Sequence, residues 1–173
     1  FGNYIGLRVD GVSAIPNGLN GLKIENVSNT IVGGSGAFAN IISGHTGAGN
    51  TGVFCEFTGI NTVFENNYIG TDKTGSAPLG NQTGIRITDD HDVILGTGAT
   101  GTENYICASV ENGVHILSPN VVMDGYLIGV GTSNTTSGMG NTQNGILVQA
   151  PTVQIGMTSA PQNVIVNNGQ SGI

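Results

Sequence analysis

Gly84-Ile85-Arg86-Ile87 decides the fold, because the same glycine-led alternation returns at Gly21-Leu22-Lys23-Ile24, Gly52-Val53-Phe54-Cys55, Gly113-Val114-His115-Ile116 and Gly145-Ile146-Leu147-Val148, and begins again at Gly172-Ile173. The steps between successive glycines are 31, 32, 29, 32 and 27 residues. Apolar runs this short, alternating with period two, read as strands. A strand that returns every ~30 residues in one phase must lie parallel on its predecessor, at a spacing of about 4.8 Å. The chain is therefore expected to coil into a parallel β-helix.

Two further landmarks lengthen the true unit to two turns. Ile31-Val32-Gly33, Ile94-Leu95-Gly96 and Gln154-Ile155-Gly156 recur with their glycines 63 and 60 residues apart. Asn40-Ile41-Ile42, Asn104-Tyr105-Ile106 and Asn163-Val164-Ile165 recur at 64 and 59, as do Ile5-Gly6, Ile69-Gly70 and Ile128-Gly129. Three divergent units, about 3–66, 67–125 and 126–173, thus fill a single domain of about six turns with three short strands each. Composition agrees: of 173 residues, 30 are Gly, 20 Asn and 18 Thr, which is poor helix material, and 38% are hydrophobic, too many for a solvated coil.

Alternation assigns the side chains. Leu22, Val53, Ile85, Val114 and Ile146 form one inward column, and Ile24, Cys55, Ile87, Ile116 and Val148 a second. Cys107 aligns with Ser43 on another strand, so a disulfide to Cys55 is not expected. The asparagines that open the third strand, Asn3, Asn40, Asn67, Asn104 and Asn163, are expected to stack as a hydrogen-bonded ladder at a corner of the coil.

Charge narrows function. Four basic residues against eleven acidic ones leave a net charge of -7, and 9% of residues are charged. Arg8, Lys23, Lys73 and Arg86 are too few to track a phosphate backbone, which argues against nucleic acid and anionic membrane as partners. No apolar run approaches the ~20 residues of a membrane helix.

The segment Asn67-Tyr68-Ile69-Gly70-Thr71-Asp72-Lys73-Thr74-Gly75, followed by Leu79-Gly80-Asn81 and Gly84-Ile85-Arg86-Ile87, resembles a repeat family of right-handed parallel β-helices found in large secreted and surface proteins, many of them adhesin-like. The resemblance covers nearly the whole chain. It implies a right-handed coil, an extracellular or cell-surface location and a structural task. Thr71-Asp72 is replaced by Leu7-Arg8 in the first unit and by Val130-Gly131 in the third, so Asp72 is not a repeated ligand.

Parallel β-helices also include enzymes acting on acidic polysaccharides, and the outward column of the glycine-led strand is where such chemistry would stand. It reads Lys23, Phe54, Arg86, His115 and Leu147, flanked by Glu25, Glu56, Thr88, Leu117 and Gln149. Lys23, Phe54, Arg86 and His115, with Glu56, form the candidate ligand face. A metal-assisted lyase needs several carboxylates beside its basic residue, and a hydrolase needs a carboxylate pair; neither set is present on this column. No catalytic residue is assigned. Asp89-Asp90-His91-Asp92 is the one dense acidic cluster, and its Asp89, Asp90 and Asp92 are the candidate Ca²⁺ ligands, although a solvated turn is the plainer reading. No other cofactor is expected.

Asn26, Asn81 and Asn134 each stand in an N-x-S/T sequon and are the candidate glycosylation sites. The first and last turns offer no polar element to close the coil, which makes further β-helix, in the same chain or in copies placed end to end, the expected partner. The expectation is a structural rod, filament or adhesive stalk, with polysaccharide binding or cleavage as the alternative.

Overall fold

The computed structural model describes residues 2–35, 39–56, 61–88, 93–96, 99–156 and 162–173. It is a right-handed parallel β-helix of about six turns, built of three parallel sheets. One sheet stacks β1 (Tyr4–Ile5), β4 (Asn40–Ile42), β7 (Asn67–Ile69), β10 (Asn104–Ile106), β13 (Tyr126–Ile128) and β16 (Val164–Ile165). The glycine-led runs supply the second: β2 (Leu22–Glu25), β5 (Thr51–Glu56), β8 (Thr83–Thr88), β11 (Val114–Ile116) and β14 (Ile146–Val148). The third contains β3 (Ile31–Gly33), β6 (Thr62–Glu65), β9 (Val93–Leu95), β12 (Val122–Met123) and β15 (Gln154–Ile155).

The register is the one the alternation demands. Leu22, Val53, Ile85, Val114 and Ile146 lie opposite one another, as do Ile24, Cys55, Ile87, Ile116 and Val148. Val53, Cys55, Ile85, Ile87, Val114 and Ile116 are fully buried, and they join Phe64, Leu95, Met123, Ile69, Ile106 and Ile128 from the other sheets in one continuous core. Cys55 and Cys107 are buried thiols, not joined in a disulfide. Burial pushes the Cys107 thiol up to about 12, while its Sγ donates to the Val130 carbonyl at 3.2 Å.

The asparagine ladder is present and directional. Asn3 Nδ2 donates to Asn40 Oδ1 (2.9 Å), Asn40 Nδ2 to Asn67 Oδ1 (3.0 Å) and Asn67 Nδ2 to Asn104 Oδ1 (2.8 Å). The second amide proton of Asn67 closes the corner, shared between the carbonyls of Val32 and Glu65. Aligned amide dipoles polarise one another, so a row of them holds better than isolated pairs. Tyr126 occupies the fifth position, opposite Asn104, and its backbone N–H donates to Asn163 Oδ1 at 2.9 Å.

The odd turns depart from the coil in lateral hairpins. Leu7 and Ala14 form an antiparallel bridge in the first turn, and Thr71 and Pro78 form its counterpart in the third. A further excursion over residues 130–139 leaves the fifth turn, held by a bond from the Gly131 N–H to the Thr135 carbonyl at 2.8 Å. A hairpin standing on edge is two strands tall, about 9.6 Å at ~4.8 Å per strand, which is the height of two turns. One hairpin therefore fits on every second turn, a physical reason for a period of two turns.

Two predictions follow the inward and outward assignments. Ile87→Ala should cost about 2–5 kcal/mol in chemical denaturation, as truncation of a fully buried aliphatic does, whereas outward Arg86→Ala should cost about 1 kcal/mol or less. Asn67→Ala removes the side-chain donor to the buried Val32 carbonyl and breaks the ladder to Asn104, and should cost about 1–3 kcal/mol, and Asn3→Ala, at the exposed end of the ladder, about 0.5 kcal/mol or less. Equal midpoints within either pair would overturn the corresponding assignment.

Candidate functional site

The second sheet presents its outward residues in register: Lys23, Phe54, Arg86, His115 and Leu147 follow one another up β2, β5, β8, β11 and β14. Stacking at sheet spacing brings Lys23 and Arg86 to either side of Phe54. Lys23 Nζ lies 5.7 Å and Arg86 Cζ 6.0 Å from the ring centroid, within reach of a cation–π attraction. Lys23 Nζ also binds Glu56 Oε2 at 2.9 Å and Glu25 Oε2 at 3.0 Å. The Glu56 carboxylate, then that of Glu25, raises the Lys23 ammonium above its ordinary value. A lysine so held stays protonated and is no general base.

His115 sits higher on the same column, its Nε2 2.8 Å from Gln149 Oε1. Between the lower strands, Asn20, Gly49, Thr51, Phe54 and Arg86 line a hollow of about 90 Å³, the volume of a few water molecules. The structure thus brings Lys23, Phe54, Arg86 and Glu56 together and leaves His115 one strand beyond. The arrangement is charged, aromatic and cross-braced. Asp89, Asp90 and Asp92 lie outside the described residues. Among the described residues no three His, Cys, Asp or Glu side chains gather where they could hold a metal ion.

The three sequon asparagines occupy different settings. Asn26 and Asn134 are exposed, both with positive φ. Asn81 is fully buried, its Nδ2 donating to the Ile42 carbonyl at 2.9 Å and its Oδ1 accepting from the His45 backbone N–H at 3.1 Å. Asn81 belongs to a second polar column, in which Asn141 Oδ1 accepts from the Ser109 N–H and Asn141 Nδ2 donates to Asn168 Oδ1 at 2.9 Å. The recurring Gly80-Asn81 and Gly140-Asn141 were the signal for this column in the sequence.

His45 stands in that column at the level where the next unit has Ser109, each donating its backbone N–H to the asparagine of the following turn. Its ring is fully buried, with Nδ1 3.2 Å from Asn81 Oδ1 and Nε2 3.3 Å from Asn17 Nδ2. Asn81 Oδ1 only accepts and Asn17 Nδ2 only donates, so the ring is neutral with its proton on Nδ1. The ring fills space that two glycines leave open: a Cβ on Gly6 would lie 2.3 Å from His45 Cε1, and one on Gly21 2.9 Å from it. Burial holds its pKa below the ordinary histidine value, the Asn81 contact opposing this more weakly.

Comparison with protein-family models, with curated proteins and with solved structures returned no match.

His45 gives the fold a pH dependence whose sign is fixed. The unfolded chain takes up a proton near pH 6.5 and the folded chain only lower, so acid favours unfolding between the two values. Stability should fall as pH drops below about 6.5, by at most about 1.4 kcal/mol per pH unit from this group. His45→Asn, which removes the titration, should flatten that stretch of the urea-midpoint profile. An unchanged slope would remove His45 as its source.

Proposed function

We propose that this chain is a structural segment of an extracellular or cell-surface β-solenoid, extended into a rod or stalk by further coil stacked on its open edges. The observation that carries this reading is the open end beside β1, β2 and β3. Ile5, Leu22, Ile24, Ile31 and Val32, with the polar Asn3, Thr30 and Asn40 at the rim, line a cavity of about 270 Å³ where the core meets solvent. Tyr4, Ile15, Leu19 and Ile31 are exposed in the first two turns, and Val164 and Val166 towards the opposite end. An edge strand offers unpaired backbone groups, and here they surround an apolar opening, which further coil would cover by both hydrogen bonding and burial.

The resemblance to the surface β-helix repeats points the same way, and the well-braced Lys23–Glu56 pair gives no reason to prefer catalysis. Polysaccharide binding along the Lys23, Phe54 and Arg86 face is the second reading, favoured by the hollow beside Arg86. Exposed Asn26 and Asn134 are the sequons that a secretory glycoprotein would use.

Sedimentation and electron microscopy of the isolated chain test the first reading. End-to-end association that grows with concentration is expected, and a monodisperse monomer with its edge-strand amides protected from exchange would overturn it. Binding of pectin- or alginate-type glycans lost in Arg86→Ala, without association, would establish the second.

A further inference from the structure

The lateral hairpins of the first and third turns are congruent. Arg8 N–H donates to the Ser13 carbonyl at 2.8 Å and Asp72 N–H to the Ala77 carbonyl at 2.9 Å; Gly11 N–H donates to Arg8 and Gly75 N–H to Asp72. Each has a glycine tip in the left-handed region, Gly11 at φ +71° and Gly75 at φ +70°. Each also has one aspartate bonded inward: Asp10 Oδ1 accepts from the Val12 and Ser13 amides, and Asp72 Oδ1 from those of Thr74, Ser76 and Ala77.

The hairpins also bond to one another, and in the same way each time. Lys73 N–H donates to the Gly11 carbonyl at 2.8 Å, and Thr132 N–H to the Gly75 carbonyl at 2.9 Å. Both donors lay their side chain across the tip glycine: a Cβ added to Gly11 would lie 2.6 Å from Lys73 Cδ, and one added to Gly75 2.6 Å from Thr132 Cγ2. These tips are glycines because the next hairpin occupies the space, as well as for their φ.

Ile5-Gly6-Leu7-Arg8-Val9, Ile69-Gly70-Thr71-Asp72-Lys73 and Ile128-Gly129-Val130-Gly131-Thr132 align, which makes Val9 the counterpart of Lys73 and Thr132. Val9 is 96% exposed, and its N–H meets no acceptor among the described residues. A branched apolar side chain left almost wholly exposed at the position where Lys73 and Thr132 cover a tip glycine, beside an unused donor, has the form of half a contact. We infer that the Val9 edge is a docking surface for the glycine tip of another lateral hairpin, carried by a two-turn β-helix unit stacked on β1, β2 and β3. The Val9 amide would donate to the tip carbonyl and its isopropyl group would cover the glycine, continuing the contact seen twice within the chain.

This inference rests on the stacking reading above, and the test separates the two. A second copy of residues 67–125 is fused ahead of Asn3 in the full chain, which places a Gly75 tip two turns before Val9. Hydrogen exchange is then read at two amides. Tyr4 reports coil stacking, because the Asn3 and Ile5 carbonyls face β4, accepting from Ile41 and Ser43, and the Tyr4 amide faces the other way. Val9 reports the hairpin contact.

Exchange at both amides should slow by at least about tenfold relative to the unextended chain. Gly75→Val in the added copy should release Val9 and leave Tyr4 protected. Protection of Tyr4 with Val9 still exchanging freely would overturn the docking surface while stacking stands. Free exchange at both would overturn both. Val9 protection that survives Gly75→Val would show that the tip glycine is not what it recognises.

Discussion

The column of glycines ahead of the second sheet sets the spacing on which everything else depends. A Cβ on Gly21 would lie 2.7 Å from the Gly52 carbonyl oxygen, one on Gly52 2.8 Å from that of Gly84, and one on Gly84 2.4 Å from that of Gly113. Gly113 and Gly145 stand in the same relation to the glycine that follows each, at 2.6 Å. No side chain fits between the coils at this corner, so any other residue would push two turns apart. Strands held at sheet distance keep their backbone bonds, and only then do the aliphatic columns meet at van der Waals range and the amide ladders at hydrogen-bond range.

With the spacing fixed, each column is free to specialise. Aliphatic columns supply burial, and amide columns satisfy corner carbonyls that would otherwise be desolvated without partners. Substitutions within an amide column are therefore the informative ones. His45 keeps the hydrogen bonding by using one ring nitrogen as donor and the other as acceptor, and so introduces a titratable group into a buried row. Tyr126 keeps the backbone bond to Asn163, its hydroxyl buried and without a partner among the described residues. Burial, with a smaller contribution from Cys55, holds that phenol well above its ordinary range, so it remains neutral.

Much of this was legible because a solenoid writes its structure as repetition. The inward columns, the strand phase and the first asparagine ladder each appear as the same residue type at a fixed step, and the structure places them in register. The hairpin contacts were not legible in that way. Gly11 and Gly75 are 64 residues apart, but the residues that cover them, Lys73 and Thr132, share neither charge nor size, since what the contact uses is a backbone amide and a few carbons of any side chain. The clustering at Phe54 was legible as a column and not as a site: the reach of Lys23 to both Glu25 and Glu56 depends on rotamers, which sequence spacing does not fix. Asp72 was set aside as a ligand because it does not recur, and its bonds inside the hairpin, matched by those of Asp10 two residues later in the alignment, supply the reason.

Two spacings therefore coexist in this chain. The coil repeats every turn, and its glycines would accept a change in length by one turn with the strand order intact. The hairpin column repeats every second turn, because each hairpin fills two levels and bonds to the hairpin two turns away. A single turn gained or lost would leave the sheets continuous while setting a hairpin against a level already filled, or opening a gap where the Lys73–Gly11 type of contact should be. Stability in a solenoid is close to a sum of neighbour contacts, so the coil tolerates such a change locally. The hairpin column does not tolerate it. A chain under both constraints lengthens by whole two-turn units, which accounts for a sequence whose recognisable repeat is about 60 residues although its structural period is half that.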